Sequence, residues 1–484
     1  MILKELGIYG WSEDCENLIL AGILTGDPLL LIGCHGTAKT HLARVVAKAL
    51  GKKFLSYDAS KALFEDVLGY PDIEKLKRGI VDYLPSKVTI WDKEFILIDE
   101  LNRALPEMQS KWLEVIRSRK IMGFKTSVKW VWAAMNPISY SATQVLDEAL
   151  VGRFSLFIYP PEVLEMEEED RIKVAKLITE DDAPALDEWK GKKNNAIQGN
   201  NLKEIGKKIK QILVKGAYYL EGLRREMGTL AQFLAKFSDL LSKETKGKIR
   251  LDGRRLGFIY RNLLAIRAVE LAKVEIVGTR LPNFLDSAKS TIEASIPTGI
   301  NDESINKEEE YHKLEICFDL LSSYFEEGSE LEKVNLIYEL FTTTDLMRKA
   351  ELLLKMDLGE LAKTKAWNDL INNGKDITTL AYVALQLEAK RKGTIPQEML
   401  EPLSKAVNTQ RLSSSSLPNL KGESIEYVEE VENLIQAETD LHLVVSLERA
   451  KELLKEERIS PENIRKAKQK IEKDLRVFEN FLKE

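Results

Sequence analysis

Uninterrupted apolar runs, without polar alternation, mark strands buried on both faces. Leu29-Leu-Leu-Ile32 is one, and Phe95-Ile-Leu-Ile98, which ends in Asp99-Glu100, is another. Further strands are predicted over 53–57, over 127–135 and over 155–159, the last closed by Pro160-Pro161. Between them the apolar positions recur three and four apart, the period of a helix with one buried face. Ile19, Leu20, Ile23 and Leu24 place such a helix over 13–25; Leu42, Val45, Val46 and Ala49 place a second one, which Gly51 suits as a C-cap; Met108, Trp112, Val115 and Ile116 place a third, opened by Pro106. Strands alternating with helices predict an α/β fold with a parallel sheet. The segment 69–79 has hairpin character and is extra to such a core; it either projects from the sheet or covers its edge.

From Val163 onward the pattern turns helical and charged. One helix is read over 165–178, a polar linker over 190–201, and a helix over 203–219 whose lysines, from Lys203 to Lys215, form a solvated face. Asp252 is placed as the N-cap of a helix carrying Leu256, Ile259, Leu263 and Ile266 on one side. Residues 282–305, rich in Pro, Ser and Asn, read as a loop and a boundary. Beyond it come helices over 311–324, 331–341, 346–358, 377–390 and 397–407, then a Ser-rich linker over 413–424 and two long helices. The last of these sets Ile464, Ala467, Ile471, Leu475, Phe478 and Leu482 on one seam, which serves either an intramolecular hairpin or another chain.

The 484 residues are 44% hydrophobic and 31% charged, with a net charge of −6, a composition that supports real cores and argues against a nucleic-acid binder reliant on overall basicity. Three cysteines and four histidines, without C-x-x-C or H-x-x-x-H spacing, argue against disulfides and against a transition-metal centre. The amino terminus lacks a signal-peptide pattern, and no apolar run approaches the roughly 20 residues that span a bilayer. A cytoplasmic location without membrane association is the expectation.

The chemistry gathers at the ends of the strands. Gly33-Cys-His-Gly-Thr-Ala-Lys-Thr40 follows the first strand and opens a helix. Gly33 and Gly36 permit the tight bend that turns backbone N–H groups inward, and the helix start adds its positive dipole end. Cys34, His35, Thr37 and Ala38 complete the loop, Lys39 is the cation for the β- and γ-phosphates, and the Thr40 hydroxyl is a magnesium ligand. Ala38 stands where glycine is usual. Asp99 would hold the hydrated magnesium and Glu100 would orient the attacking water. Asn136, at the end of the next strand, is placed to hydrogen-bond that water and the γ-phosphate. Arg153, at a helix end before the fifth strand, either reaches a nucleotide on a neighbouring subunit or caps its own helix. Ile8 and Tyr9, within Gly7-Ile-Tyr-Gly-Trp11, either form a platform for a base or belong to the core.

Taken together, the loop at 33–40, Tyr83-Leu-Pro85, Ile96-Leu-Ile-Asp-Glu-Leu-Asn-Arg103, Met135-Asn-Pro137 and Ala149-Leu-Val-Gly-Arg-Phe154 resemble the MoxR-type AAA+ ATPases, and within them the RavA-like branch. The resemblance covers about residues 1 to 280, and the alanine before Lys39 is itself similar to that branch. It implies an AAA+ P-loop core over 1–161 and a helical lid with an insertion over 162–281; beyond it, the helical pattern itself gives a helical domain over 306–411 and a carboxy-terminal helical hairpin over 424–484. The resemblance makes Lys39 and Thr40 the Walker A residues, Asp99 and Glu100 the Walker B pair, Asn136 sensor 1 and Arg153 an arginine finger. Sensor 2 would be Arg254 or its neighbour Arg255, with Arg254 preferred; Asp252-Gly253 stands where relatives often carry Ser-Pro. The implied activity is Mg-dependent ATP hydrolysis in a ring, usually a hexamer, that remodels a client, often with a partner carrying a von Willebrand factor A domain. RavA carries a small β-rich module among its last helices, and no alternating pattern of that kind appears here. Two alternatives are a GTP-using ring of the McrB type and a nucleotide-gated scaffold with little turnover.

Overall fold

The structure, a computed structural model, describes residues 1–140, 143–177, 195–301, 307–326, 328–343, 346–356 and 358–362, with 367, 380–381, 384, 388, 393 and 395–403. Five strands form one parallel sheet: β1 (Leu29–Ile32), β2 (Phe54–Asp58), β3 (Phe95–Asp99), β4 (Trp130–Met135) and β5 (Leu156–Ile158), in the order β2-β3-β4-β1-β5. Leu29, Leu30 and Leu31 are wholly buried and so are residues 95–98, as a sheet covered on both faces requires. Because every strand runs the same way, the residues following β1, β3 and β4 emerge on one edge. Ile32 pairs with Met135, Asp58 pairs with Asp99, and the N–H of Gly33 donates to the carbonyl of Met135.

The helices over Glu13–Thr25 and Pro106–Ser118 fall where the apolar period places them. Ser12 caps the first through its hydroxyl, and the leading Pro106 of the second gives up no needed N–H. The helix Lys39–Leu50 follows β1 and ends on Gly51 in the left-handed region at φ 67°. The segment between β2 and β3 carries a two-stranded hairpin, Tyr70–Pro71 against Tyr83–Leu84, and a second small hairpin, Lys120–Ile121 against Phe124–Lys125, lies ahead of β4.

The chain divides into two compact units, residues 1–276 with 281–331, and residues 277–280 with 332–484. In the first unit the long helix Asn195–Glu226 packs on Lys39–Leu50 and on Glu13–Thr25. The helix Gly253–Val277 begins where Asp252 accepts the N–H of Arg255 at 2.7 Å. Its Lys273 is buried and reaches Glu13, Glu16 and Asn17 at 2.8–2.9 Å, which ties this helix to Glu13–Thr25. The region 282–305, read as a loop, instead contains the helix Phe284–Ser295. Asn283 caps it, Phe284, Ala288 and Ile292 are buried four apart, and the hydroxyls of Thr291 and Ser295 donate to carbonyls four residues back. Hydroxyl side chains that compete with the backbone in isolation are thus absorbed by the helix. A helix over Thr229–Glu244, with no counterpart in the sequence reading, packs its Phe233 and Phe237 against Phe318.

The second unit is helical where it is described, with Leu340, Leu352, Leu353, Trp367, Met399 and Leu403 in its core. The helix expected over 397–407 is described as far as 403. The polar linker expected over 190–201 is helical where it is described, since the helix Asn195–Glu226 already includes residues 195–201; the Ser-rich stretch and the terminal hairpin expected over 424–484 lie outside the described residues. Among the described residues no helix is long and apolar enough to cross a membrane.

Packing of Asn195–Glu226 on Lys39–Leu50 is tight at one point. A Cβ added to Gly206 would lie 1.9 Å from the carbonyl oxygen of Ala49, whereas at Gly216 the first obstacle is the Leu24 side chain at 3.3 Å. Backbone does not yield as a leucine does. Gly206→Ala is therefore expected to cost about 1–3 kcal/mol and Gly216→Ala clearly less, read as urea midpoints at unchanged m-value.

Candidate functional site

At the carboxyl edge of the sheet the loop 33–40 closes on itself. Gly36 has φ 80° and Ala38 φ 60°, so the chain passes through the left-handed region twice before the helix begins at Lys39. A side chain at Gly33 would meet Pro160 at 2.8 Å, which reserves that position for glycine. Lys39 is buried and its Nζ donates to the carbonyls of Gly33 and Cys34, each at 2.7 Å, and to Thr37 Oγ1 at 3.3 Å. Burial pushes the ammonium below the ordinary lysine range, opposed by the charges of Asp99 and Glu100. Thr37 itself donates to Cys34 O at 2.8 Å.

The two halves of the site meet where the Thr40 hydroxyl donates to Asp99 Oδ2 at 2.5 Å. The pair fits a hard divalent cation: two oxygen donors, one hydroxyl and one carboxylate, beside a loop shaped for phosphate. Among the described residues no cluster of three or more His, Cys, Asp or Glu side chains is placed to hold a metal. A cation at Thr40 and Asp99 would take its other ligands from water and phosphate, as magnesium does. The other Asp99 oxygen accepts the Glu100 N–H at 2.9 Å, and Glu100 is held at φ 53°. Strain of this kind persists only where the surroundings enforce it. Both Glu100 oxygens lie 3.3 Å from one guanidinium nitrogen of Arg103, one turn along. Sequence reasoning assigned no role to Arg103; its spacing of three from Glu100 was the available signal.

Asn136 is buried directly after β4, next to the loop because Met135 pairs with Ile32. Its backbone carbonyl is fixed by Asn102 Nδ2 at 2.8 Å, a residue that follows the Asp99-Glu100 pair. Cys34 and His35 face different neighbours. The Cys34 thiol donates to Glu162 at 2.8 Å, and the His35 ring meets Tyr140 edge-on at 5.0 Å. Beside the loop lies a cavity of about 690 Å3, large enough for a nucleoside, walled by Gly10, Ser12, Tyr159, Pro161, Glu165 and Ile300 among others. Of the two residues read as flanking a base, Ile8 is buried and Tyr9 lies under Lys173 Nζ at 5.7 Å; the wall is built by Gly10 and Ser12. Trp11 is buried in the core.

Arg153 and Arg254 are placed elsewhere. Both line an open cavity at the amino edge of the sheet, bounded by Gly26, Pro28 and Trp130, next to the starts of β1 and β4. A four-residue strand rises roughly 13 Å, so these arginines are not brought together with Lys39 and Asp99 of the same chain. Arg255 has a structural role: it is buried, donates to the carbonyls of Phe154 at 2.8 Å and Ser295 at 2.9 Å, and burial pushes its guanidinium down to about 10. That leaves Arg254 as the arginine of this pair open to solvent.

Residues 28–156 match the ATPase family associated with various cellular activities. Over about 150 residues, 30% of this chain, the sequence is 30% identical to the uncharacterized protein YeaC of Bacillus subtilis. It is also 30% identical to chaperone MoxR1 of Mycobacterium tuberculosis and 29% identical to structural protein ORF618 of Acidianus two-tailed virus. These matches span 45%, 39% and 24% of the three relatives' own lengths.

The left-handed Ala38 provides a test of the loop. A residue with a Cβ at φ 60° carries a cost of about 1–2 kcal/mol that glycine lacks, partly offset by glycine's freedom in the unfolded chain. Ala38→Gly is expected to leave stability unchanged or raise it by up to about 1 kcal/mol, with nucleotide affinity retained; thermal melts and a titration with a fluorescent nucleotide check both.

Proposed function

We propose that the chain, whose residues 28–156 match the ATPase family associated with various cellular activities, is an ATPase of the MoxR type that hydrolyses ATP and couples each turnover to the remodelling of a client protein. The observation that carries the reading is the 2.5 Å contact between Thr40 and Asp99 beside the buried Lys39. It joins two segments 59 positions apart in sequence into one donor pair at the mouth of a phosphate loop.

The triphosphate lies along the loop's N–H groups. Lys39 Nζ, now satisfied by two loop carbonyls, exchanges them for β- and γ-phosphate oxygens. Thr40 and Asp99 would hold magnesium, which would supply positive charge to the phosphate oxygens. Glu100 orients the water for in-line attack, which requires its carboxylate to turn from Arg103 toward the γ-phosphate side. Asn136 fixes the water and the γ-phosphate from the adjacent strand. Arg153 completes the site of a neighbouring copy, so the working form is a ring, taken as a hexamer. The energy released moves lid against core, and the client or a partner with a von Willebrand factor A domain is engaged in the cytoplasm.

Glu100→Gln is expected to lower kcat by about 10²–10⁴ while nucleotide still binds, and Lys39→Ala to abolish binding. Phosphate release and equilibrium titration separate the two effects. Unchanged phosphate release by Glu100→Gln would overturn the hydrolytic reading. For the shared site, Arg153→Ala and Lys39→Ala proteins, each inactive alone, are expected to regain turnover when mixed, since some junctions then join an intact loop to an intact finger.

A further inference from the structure

A buried acid behind the nucleoside-sized cavity holds part of its wall in place. Asp170, in the first turn of the helix Glu168–Lys176, is 3% exposed, and its Oδ2 accepts the N–H of Gly10 at 3.1 Å and lies 2.8 Å from the Lys4 ammonium. Its Oδ1 is buried as well, 3.5 Å from Lys173 Nζ. Lys4 foremost, with the Gly10 N–H and the charge of Lys173, holds the carboxyl below the usual aspartate range against its burial. An exposed carboxylate would serve the helix dipole equally well, whereas burying one is costly. What the burial secures is the backbone of Gly10, 160 positions away.

Gly10 is the place in its segment that most needs an outside hold. Ile8 and Trp11 on either side are anchored by burial and Ser12 by capping the next helix, but Gly10 has no side chain and sits at φ 79°. It nonetheless lines the cavity of about 690 Å3 beside the phosphate loop. Met166 packs behind it so closely that a Cβ on Gly10 would lie 2.4 Å from Met166 Cγ. The stretch that brings Met166 and Asp170 to Gly10 also contributes Glu162 and Glu165 to the cavity, and Glu162 accepts the Cys34 thiol of the loop at 2.8 Å. The amino-terminal turn and the stretch after β5 therefore close on each other as one wall, fastened by a charge-assisted hydrogen bond.

We propose that Asp170 is a positioning residue for nucleoside binding: from behind the wall, outside the residues that line the cavity, it fixes the Gly10 backbone against which the nucleoside packs. The proposal rests on the ATPase reading and deepens it. Recognition of the nucleotide is divided between the loop at 33–40, which takes phosphates whatever they are attached to, and a wall that holds the nucleoside and depends on Asp170.

The test compares two ligands that differ by the nucleoside alone, ADP and inorganic pyrophosphate, each titrated with magnesium into the full-length protein by calorimetry. The wild-type protein is expected to bind ADP at least about tenfold more tightly than pyrophosphate. Asp170→Ala is expected to lose about tenfold in ADP affinity with pyrophosphate affinity within about twofold, and to raise KM for ATP while kcat stays within about twofold. Gly10→Ala, which displaces the same wall from Met166, is expected to reproduce that pattern and carries the test if Asp170→Ala does not fold. Equal losses for both ligands, or a lowered melting temperature with neither affinity changed, would make Asp170 a structural acid alone and overturn the proposal, leaving the ATPase reading to stand or fall on Glu100→Gln. Equal binding of ADP and pyrophosphate by the wild-type protein would overturn it too, since no nucleoside would then be held at the wall, whereas phosphate release from ATP is untouched by that result.

Discussion

Everything at the proposed site depends on the parallel hydrogen bonding of β1 between β4 and β5. Because the three strands run in one direction, the loop after β1, the amide after β4 and, one strand farther, the carboxylates after β3 leave the sheet at the same edge. An antiparallel neighbour would have sent Asn136 to the opposite side. The burial of β1 and β3 on both faces makes that pairing hard to slip, since any register shift would expose aliphatic side chains or strand backbone groups away from water.

The same geometry separates two kinds of charge. The carboxyl edge collects the acids and the single buried ammonium of Lys39, while the amino edge collects arginines. A single copy thus holds the phosphate-type loop with its carboxylates on one edge and a set of guanidinium groups on the other.

Between the two edges runs a path of fixed contacts through the lid. Arg255 holds the carbonyl of Phe154, the residue next to Arg153, and the same helix is anchored farther along by Lys273 on Glu13, Glu16 and Asn17. The buried pair Arg267 and Glu270, with Ser287 on the same carboxylate, ties that helix to Phe284–Ser295. The helix Gly253–Val277 and the backbone next to Arg153 are thus held together by a buried charge-assisted hydrogen bond.

By itself the sequence determined the strands and the residues at their tips: apolar runs buried on both faces, a loop with glycines at 33 and 36, and Asp99-Glu100 and Asn136 directly after a strand are local patterns, and local patterns survive without tertiary context. Helices with one apolar face, such as 13–25, were legible for the same reason. Phe284–Ser295 was not, because its Ser and Thr side chains favour turns until packing supplies a face to bury and the hydroxyls turn onto the helix's own carbonyls. Nor was the division of labour between Arg254 and Arg255, adjacent and chemically identical; only the burial of one against Phe154 and Ser295 distinguishes them. The gathering of arginines from three separate segments into one cavity was decided by tertiary structure alone, because the chain distances involved carry no periodic signal and Coulomb interactions act through space rather than along the sequence.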